Sequence, residues 1–204
     1  MVNGYPRSGA LISIKDFLEE SINVCGSIDI TKTVNQIEIA SRFILDTINS
    51  GANVLTCGNG GSFSDASHFA GELVNNFTLK HKALPILTLG SNQTVATAWS
   101  NDNEYETQFM REFEAFASPN STIVVFSTSG KSSNIQNVLD SARLLGAKSV
   151  GFTSQIGEQY LLEKCDVVFV APTKSTPKAQ EVHTILYHSL AKSIESSLVE
   201  RQLL

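Results

Sequence analysis

His68 and Glu72 stand four residues apart in a stretch of helical spacing, so their side chains leave the same face. Far downstream, Gln180 and His188 are eight apart, close to two helical turns, and share nearly one stripe. Imidazole nitrogens, a carboxylate and an amide oxygen drawn from two helices suit zinc or a similar divalent ion. The same His-x3-Glu spacing also makes an ordinary surface ion pair, and spacing alone leaves both readings open.

Two loops carry a second kind of chemistry. Cys57-Gly58-Asn59-Gly60-Gly61-Ser62 follows an apolar run and opens a helix. Three glycines in such a loop let the backbone approach a ligand and adopt positive φ, while the helix start offers free N–H groups. A plain turn capped by Ser62 or Ser64 would read the same way. Later comes Ser127-Thr128-Ser129-Gly130-Lys131-Ser132-Ser133-Asn134, with five hydroxyls between a strand end and a helix start. Small neutral donors at a helix N-terminus make a phosphate cradle, and they also make a well-capped turn. Neither GxxxxGKS nor GxGxxG is present, which disfavours a nucleotide. Two hydroxyl- and glycine-rich loops together point to a small phosphorylated molecule.

These residues need a scaffold. Short apolar runs at 53–57, 84–89, 122–127, 149–153 and 167–171 alternate with helical segments near 64–75, 92–116, 133–145, 157–163 and 177–200. The strand runs lack polar alternation, as expected of parallel strands buried on both faces. The pattern predicts a three-layer αβα sandwich around a five-stranded parallel sheet. Two helices precede it. In one, Ile14, Phe17, Leu18, Ile22 and Cys25 keep helical spacing; in the other, about Thr31 to Ser50, Val34, Ile37, Phe43, Ile44 and Ile48 point inward. Residues 1–12 read as a flexible tail, 13–51 as N-terminal helices for oligomer packing, and 52–204 as the sandwich domain. In such a sheet ligands bind beyond the carboxyl ends of the strands, where both loops lie.

Composition narrows the classes. Hydrophobic residues make up 42% of the 204 and charged residues 17%, enough apolar side chain for a folded core. A net charge of −5 lacks the basic surplus of a general nucleic-acid binder. Cys25, Cys57 and Cys165 are scattered, odd in number and form no CxxC, which reads as reduced thiols. The first seventeen residues show neither a secretory signal nor a membrane span, so a cytoplasmic protein without membrane contact is expected. Trp99, Phe109, Phe113 and Phe116 read as core or interface, and His81 and His183 not as ligands.

The strings CGNGGSFSDASHFAGEL, FSTSGKSSNIQ and AQEVHTILYHSL, taken together, resemble the phosphoheptose isomerases of the SIS (sugar isomerase) family over roughly residues 30–200. The resemblance implies a flavodoxin-like SIS domain and an aldose–ketose isomerase, converting sedoheptulose 7-phosphate to D-glycero-D-manno-heptose 7-phosphate through an enediol. It implies substrate contacts from Asn59, Gly60, Gly61 and Ser62, from Asn101 and Asp102, and from Gln180. Ser127, Thr128, Ser129 and Ser132 would hold the phosphate. It implies a divalent metal, zinc foremost, on His68, Glu72, Gln180 and His188, and a homotetramer with shared active sites. Glu72 and His188 are the expected proton-transfer pair.

Two departures stand out. The family carries arginines where this chain has Asn76 and Lys178, and neither replaces a bidentate guanidinium. An isomerase for another ketose phosphate, such as an octulose phosphate, is therefore a second reading. A non-catalytic SIS adaptor or regulator is a third. The adaptors lack the glutamate and terminal histidine that this chain keeps as Glu72 and His188.

Overall fold

The computed structural model describes residues 13–200, so the tail expected over residues 1–12 lies outside the described residues. The five apolar runs become β1 (Val54–Gly58), β2 (Ile86–Thr88), β3 (Thr122–Phe126), β4 (Lys148–Ser154) and β5 (Val167–Ala171). Every pairing is parallel, in the order β2-β1-β3-β4-β5. All residues of β1 and β3 are buried, as the lack of polar alternation requires.

Alternate side chains serve opposite faces. Val54, Val124, Phe126, Phe152 and Phe169 pack on one side under helices α2 (Ile30–Asn49), α3 (Gly61–Val74) and α8 (Thr176–Glu200). Leu55, Cys57, Ile123 and Val125 pack on the other, under α5 (Gln108–Phe116) and α6 (Ser133–Leu145). Phe126, Phe152 and Phe169 stack across three strands, with ring centroids 4.5 and 4.7 Å apart, and form the floor beneath α8. The remaining helices are α1 (Ile14–Gly26), α4 (Gln93–Asp102) and the short α7 (Glu158–Leu162).

Several expectations change. The segment expected as one helix over 92–116 breaks after Asp102 into a 3₁₀ turn, Tyr105–Thr107, before α5 begins. Tertiary hydrogen bonds hold the break: Trp99 Nε1 donates to Thr107 Oγ1 at 2.9 Å, and the Tyr105 hydroxyl to Asn59 Oδ1 at 2.7 Å. None of α1 is buried, and its Ile14 and Ile22 are 77% and 71% exposed, so its apolar stripe faces outward in the single chain. Val34 on α2, expected inward, is also exposed. Phe109 and Phe113 join the core and Phe116 does not.

Lys178 has a structural task that its sequence position hides. Its side chain is 1% exposed, and Nζ donates to the Phe17 carbonyl and to Ser21 Oγ, both at 2.6 Å, beneath the Phe17 ring. It therefore fastens α1 to the start of α8, with the Glu20 carboxylate of α1 3.8 Å from Nζ. Asn76 is exposed and bonds within its own loop, accepting the His81 N–H at 2.9 Å.

Candidate active site

The strand order reverses between β1 and β3, and the glycine and hydroxyl loops leave the carboxyl ends of those two strands. Gly60 occupies the left-handed region with φ 57° and starts α3 without any side-chain cap, so neither Ser62 nor Ser64 caps it. Ser62 is buried. A Cβ at Gly61 would overlap the Gln180 amide, so α8 presses directly on the glycine loop.

In the second loop, Ser127 Oγ accepts the Gly130 N–H at 3.1 Å, and Ser129 Oγ that of Lys131 at 3.3 Å. Thr128 Oγ1 lies 3.5 Å from Thr176 Oγ1 at the start of α8. Ser132 begins α6 with no cap bond from its side chain. The uncapped N-terminus of α6 therefore opens at the end of this loop, an arrangement suited to a phosphate.

A reciprocal carboxamide pair ties the two loops together. Asn59 Nδ2 donates to Asn134 Oδ1, and Asn134 Nδ2 to Asn59 Oδ1, each at 2.9 Å. With Tyr105 also donating to Asn59, the glycine loop, α6 and the 3₁₀ turn share one residue. A cavity of about 320 Å³ opens beside it, lined by Asn59, Gly60, Ser100, Tyr105 and Gln108 among others. Asn101 and Asp102 do not line it; they are exposed at the end of α4 and bonded to each other at 2.8 Å.

The titratable residues converge elsewhere, where α3 meets α8. His68 Nε2 lies 2.8 Å from Glu72 Oε1, and the His68 and His188 ring centroids are 5.1 Å apart. One ligand-type atom from each of His68, Glu72 and His188 lies within 4.8 Å of the others. His188 Nε2 is buried with no hydrogen-bond partner. An orphaned nitrogen beside an imidazole and a carboxylate is a donor set that could hold a divalent ion. Burial, then the neighbouring His68, push the His188 imidazole below its ordinary pKa, with Glu72 pulling the other way. A neutral imidazole is the ligating form.

Of the four ligands that the resemblance implies, three meet here. Gln180 is placed against Gly61, seven residues and about 10 Å of helix rise before His68.

Residues that sequence reasoning passed over complete the site. Phe77 packs on His188 with ring centroids 5.2 Å apart, and Tyr187 Oη lies 2.8 Å from His68 Nδ1. Burial raises the pKa of the Tyr187 phenol, so it keeps its proton at neutral pH. His183 is fully buried and lies 3.0 Å from the Thr153 carbonyl through Nε2, a core histidine with Asp65 3.8 Å from its other nitrogen. Burial pushes the Cys57 thiol far above its usual range, leaving it inert despite its place beside the glycine loop.

Comparison with known proteins gives a consistent set of likenesses. A family model described as the SIS domain matches residues 16–154. The chain is 36% identical over 185 residues to the phosphoheptose isomerase of Aliarcobacter butzleri, covering 91% of this chain and 96% of that protein. It is 42% identical over 167 residues to that of Crocosphaera subtropica, covering 82% and 85%. Among solved structures, the phosphoheptose isomerase from Francisella tularensis superposes with a TM-score of 0.80 at 26% identity, covering 90% of this chain and 96% of that one. The one from Neisseria gonorrhoeae gives 0.79 at 27% identity, with 90% and 97% covered.

Proposed function

From a chain that belongs to the SIS-domain family, and within it to the phosphoheptose isomerases, we propose an aldose–ketose isomerase that interconverts sedoheptulose 7-phosphate and D-glycero-D-manno-heptose 7-phosphate. The observation that carries the chemistry is the meeting of His68, Glu72 and His188 across α3 and α8. His68, Glu72 and His188 would hold a divalent cation, zinc by its donor set, with Gln180 able to join from the glycine-loop side. Such an ion supplies Lewis-acid polarisation of the sugar oxygens.

The chain's own residues do the rest. Ser127, Thr128, Ser129 and Ser132, with the α6 N-terminus, bind the phosphate. Asn59, Gly60, Gly61, Ser62 and Gln180 are the proposed sugar contacts; Asn101 and Asp102, exposed at the end of α4 and bonded to each other, would have to turn to reach it. Glu72 engages His68 through Oε1 and so has Oε2 left to take the C1 proton. The C1–H electrons form the C1–C2 double bond, and the C2 oxygen takes a proton from His188, whose ligating and proton-donating roles alternate. The O1 proton then passes to His188 and restores it as the C1 carbonyl forms, and Glu72 returns its proton to C2, which yields the aldose.

The sites are proposed to work in a homotetramer with active sites shared between subunits, which accords with the outward apolar stripe of α1. Among the described residues no helix is long and apolar enough to cross a membrane. A panel of C5 to C8 ketose phosphates, incubated in D₂O and followed by NMR, tests the reading. The heptulose phosphate should give aldose with deuterium at C2. Turnover of another member alone would reassign the sugar, and no aldose from any member would remove the isomerase reading.

A further inference from the structure

His68 has two ring nitrogens, and both are spoken for. Nε2 faces Glu72 Oε1 at 2.8 Å, and Nδ1 faces the Tyr187 hydroxyl at 2.8 Å. Tyr187 is buried, at 1% exposure, its ring edge-on to both His68 and His188 with centroids 5.4 and 4.8 Å away. Its hydroxyl also reaches Thr184 Oγ1 at 3.4 Å, and Thr184 donates to the Gln180 carbonyl at 3.1 Å. That carbonyl can only accept, so the Thr184 proton is committed to it and its oxygen is free to receive.

This chain of hydroxyls gives Tyr187 two settings. While Nε2 carries a proton toward Glu72, Tyr187 donates to the bare Nδ1. When a cation occupies Nε2, the ring proton must sit on Nδ1. Tyr187 then accepts it and turns its own proton toward Thr184. A phenylalanine offers neither setting, and an Nδ1–H with no partner costs about as much as a lost hydrogen bond.

We infer that Tyr187, backed by Thr184, is the positioning residue that holds His68 with its Nε2 lone pair aimed at a divalent cation shared with Glu72 and His188. The inference rests on the metal reading of the site and adds to it a residue outside the ligand set. Partners of this kind orient a metal-bound histidine, and their loss typically weakens binding about 10–100-fold.

The test measures zinc affinity of the full chain by competition with a chromophoric chelator. Tyr187→Phe keeps the ring that fills the core and should bind zinc about 10–100-fold more weakly. Thr184→Val removes only the acceptor needed in the cation-bound setting and should weaken binding several-fold, while Thr184→Ser should bind within twofold of wild type. Nitrogen-15 NMR of the zinc-loaded wild type should show His68 protonated at Nδ1 and metal-bound at Nε2. Thermal unfolding of each metal-free variant separates loss of binding from loss of fold; if Tyr187→Phe does not fold, the Thr184 pair decides. A Tyr187→Phe protein that folds and binds zinc as tightly as wild type overturns the inference, as does zinc on Nδ1. A wild type that takes up no zinc, with His68→Ala unchanged, overturns the metal reading itself.

Discussion

Glu195 is fully buried on α8, and the turn that follows α3 wraps its carboxylate. Oε1 accepts the Phe77 N–H at 2.8 Å and the Leu79 N–H at 3.2 Å; Oε2 accepts the Thr78 N–H at 2.9 Å and the Thr78 hydroxyl at 2.7 Å. Burial pushes the Glu195 carboxyl up, but the Thr78 hydroxyl and the backbone donors of Thr78, Leu79 and Phe77 together outweigh it and leave it below its ordinary value. Glu195→Gln keeps one accepting oxygen and sets an NH₂ against the Thr78 donors. Hydrogen bonds to a charged group contribute about 1.5–3 kcal/mol each and do not add fully, so a loss of about 2–4 kcal/mol is expected. For a chain of this size that lowers Tm by roughly 5–12 °C.

The sign with pH follows from the depressed carboxyl. Its stabilisation is complete above the unfolded-state value of about 4.3 and drains away as pH falls through the lower folded-state value. The gap between wild type and Glu195→Gln, read by urea unfolding at a series of pH values, should therefore be full at pH 7 and close in acid. Because the same turn carries Phe77 onto His188, the variant should also slow turnover. Equal stability at pH 7, or a gap that persists unchanged in acid, would refute the reasoning.

Three further outcomes are expected. Lys178→Met should free α1, seen as faster amide exchange over residues 14–26, with KM little changed because Nζ is turned onto Phe17 and Ser21. Ser132→Ala, which removes a hydroxyl at the α6 start, should raise KM for the phosphorylated sugar about tenfold or more, corresponding to roughly 1.5–3 kcal/mol for one hydrogen bond to a charged group, with folding unchanged. Chelation should abolish isomerisation and added zinc restore it; full turnover by protein shown metal-free by elemental analysis would contradict the metal assignment.

The sheet was legible because parallel strands covered on both faces carry no polar alternation, and five such runs stand at the right spacing. The shared face of His68 and Glu72 on α3 was legible because the two are local to one helix. Long-range partnerships were not. Nothing in the spacing of Lys178 announces a bond to Phe17, 161 residues away. Gln180 and His188 share a stripe, but two turns of α8 let each meet a different part of α3. The break between α4 and α5 has no glycine or proline to mark it; it is held by Trp99 and Tyr105 reaching partners outside the helix. The apolar stripe on α1 is exposed in the single chain, and its spacing alone names no partner.

The central claim is that Glu72 moves the proton between C1 and C2 of the sugar beside His188. Glu72→Gln keeps the shape and removes the base, and the measurement is turnover of sedoheptulose 7-phosphate in D₂O with deuterium located by NMR. Wild type should place deuterium at C2 of the aldose. The variant, folded and still holding metal, should turn over slower by a factor of about 10² or more and cease to exchange the C1 proton. A Glu72→Gln protein that retains both turnover and C1 exchange would reduce Glu72 to a ligand and contradict the account.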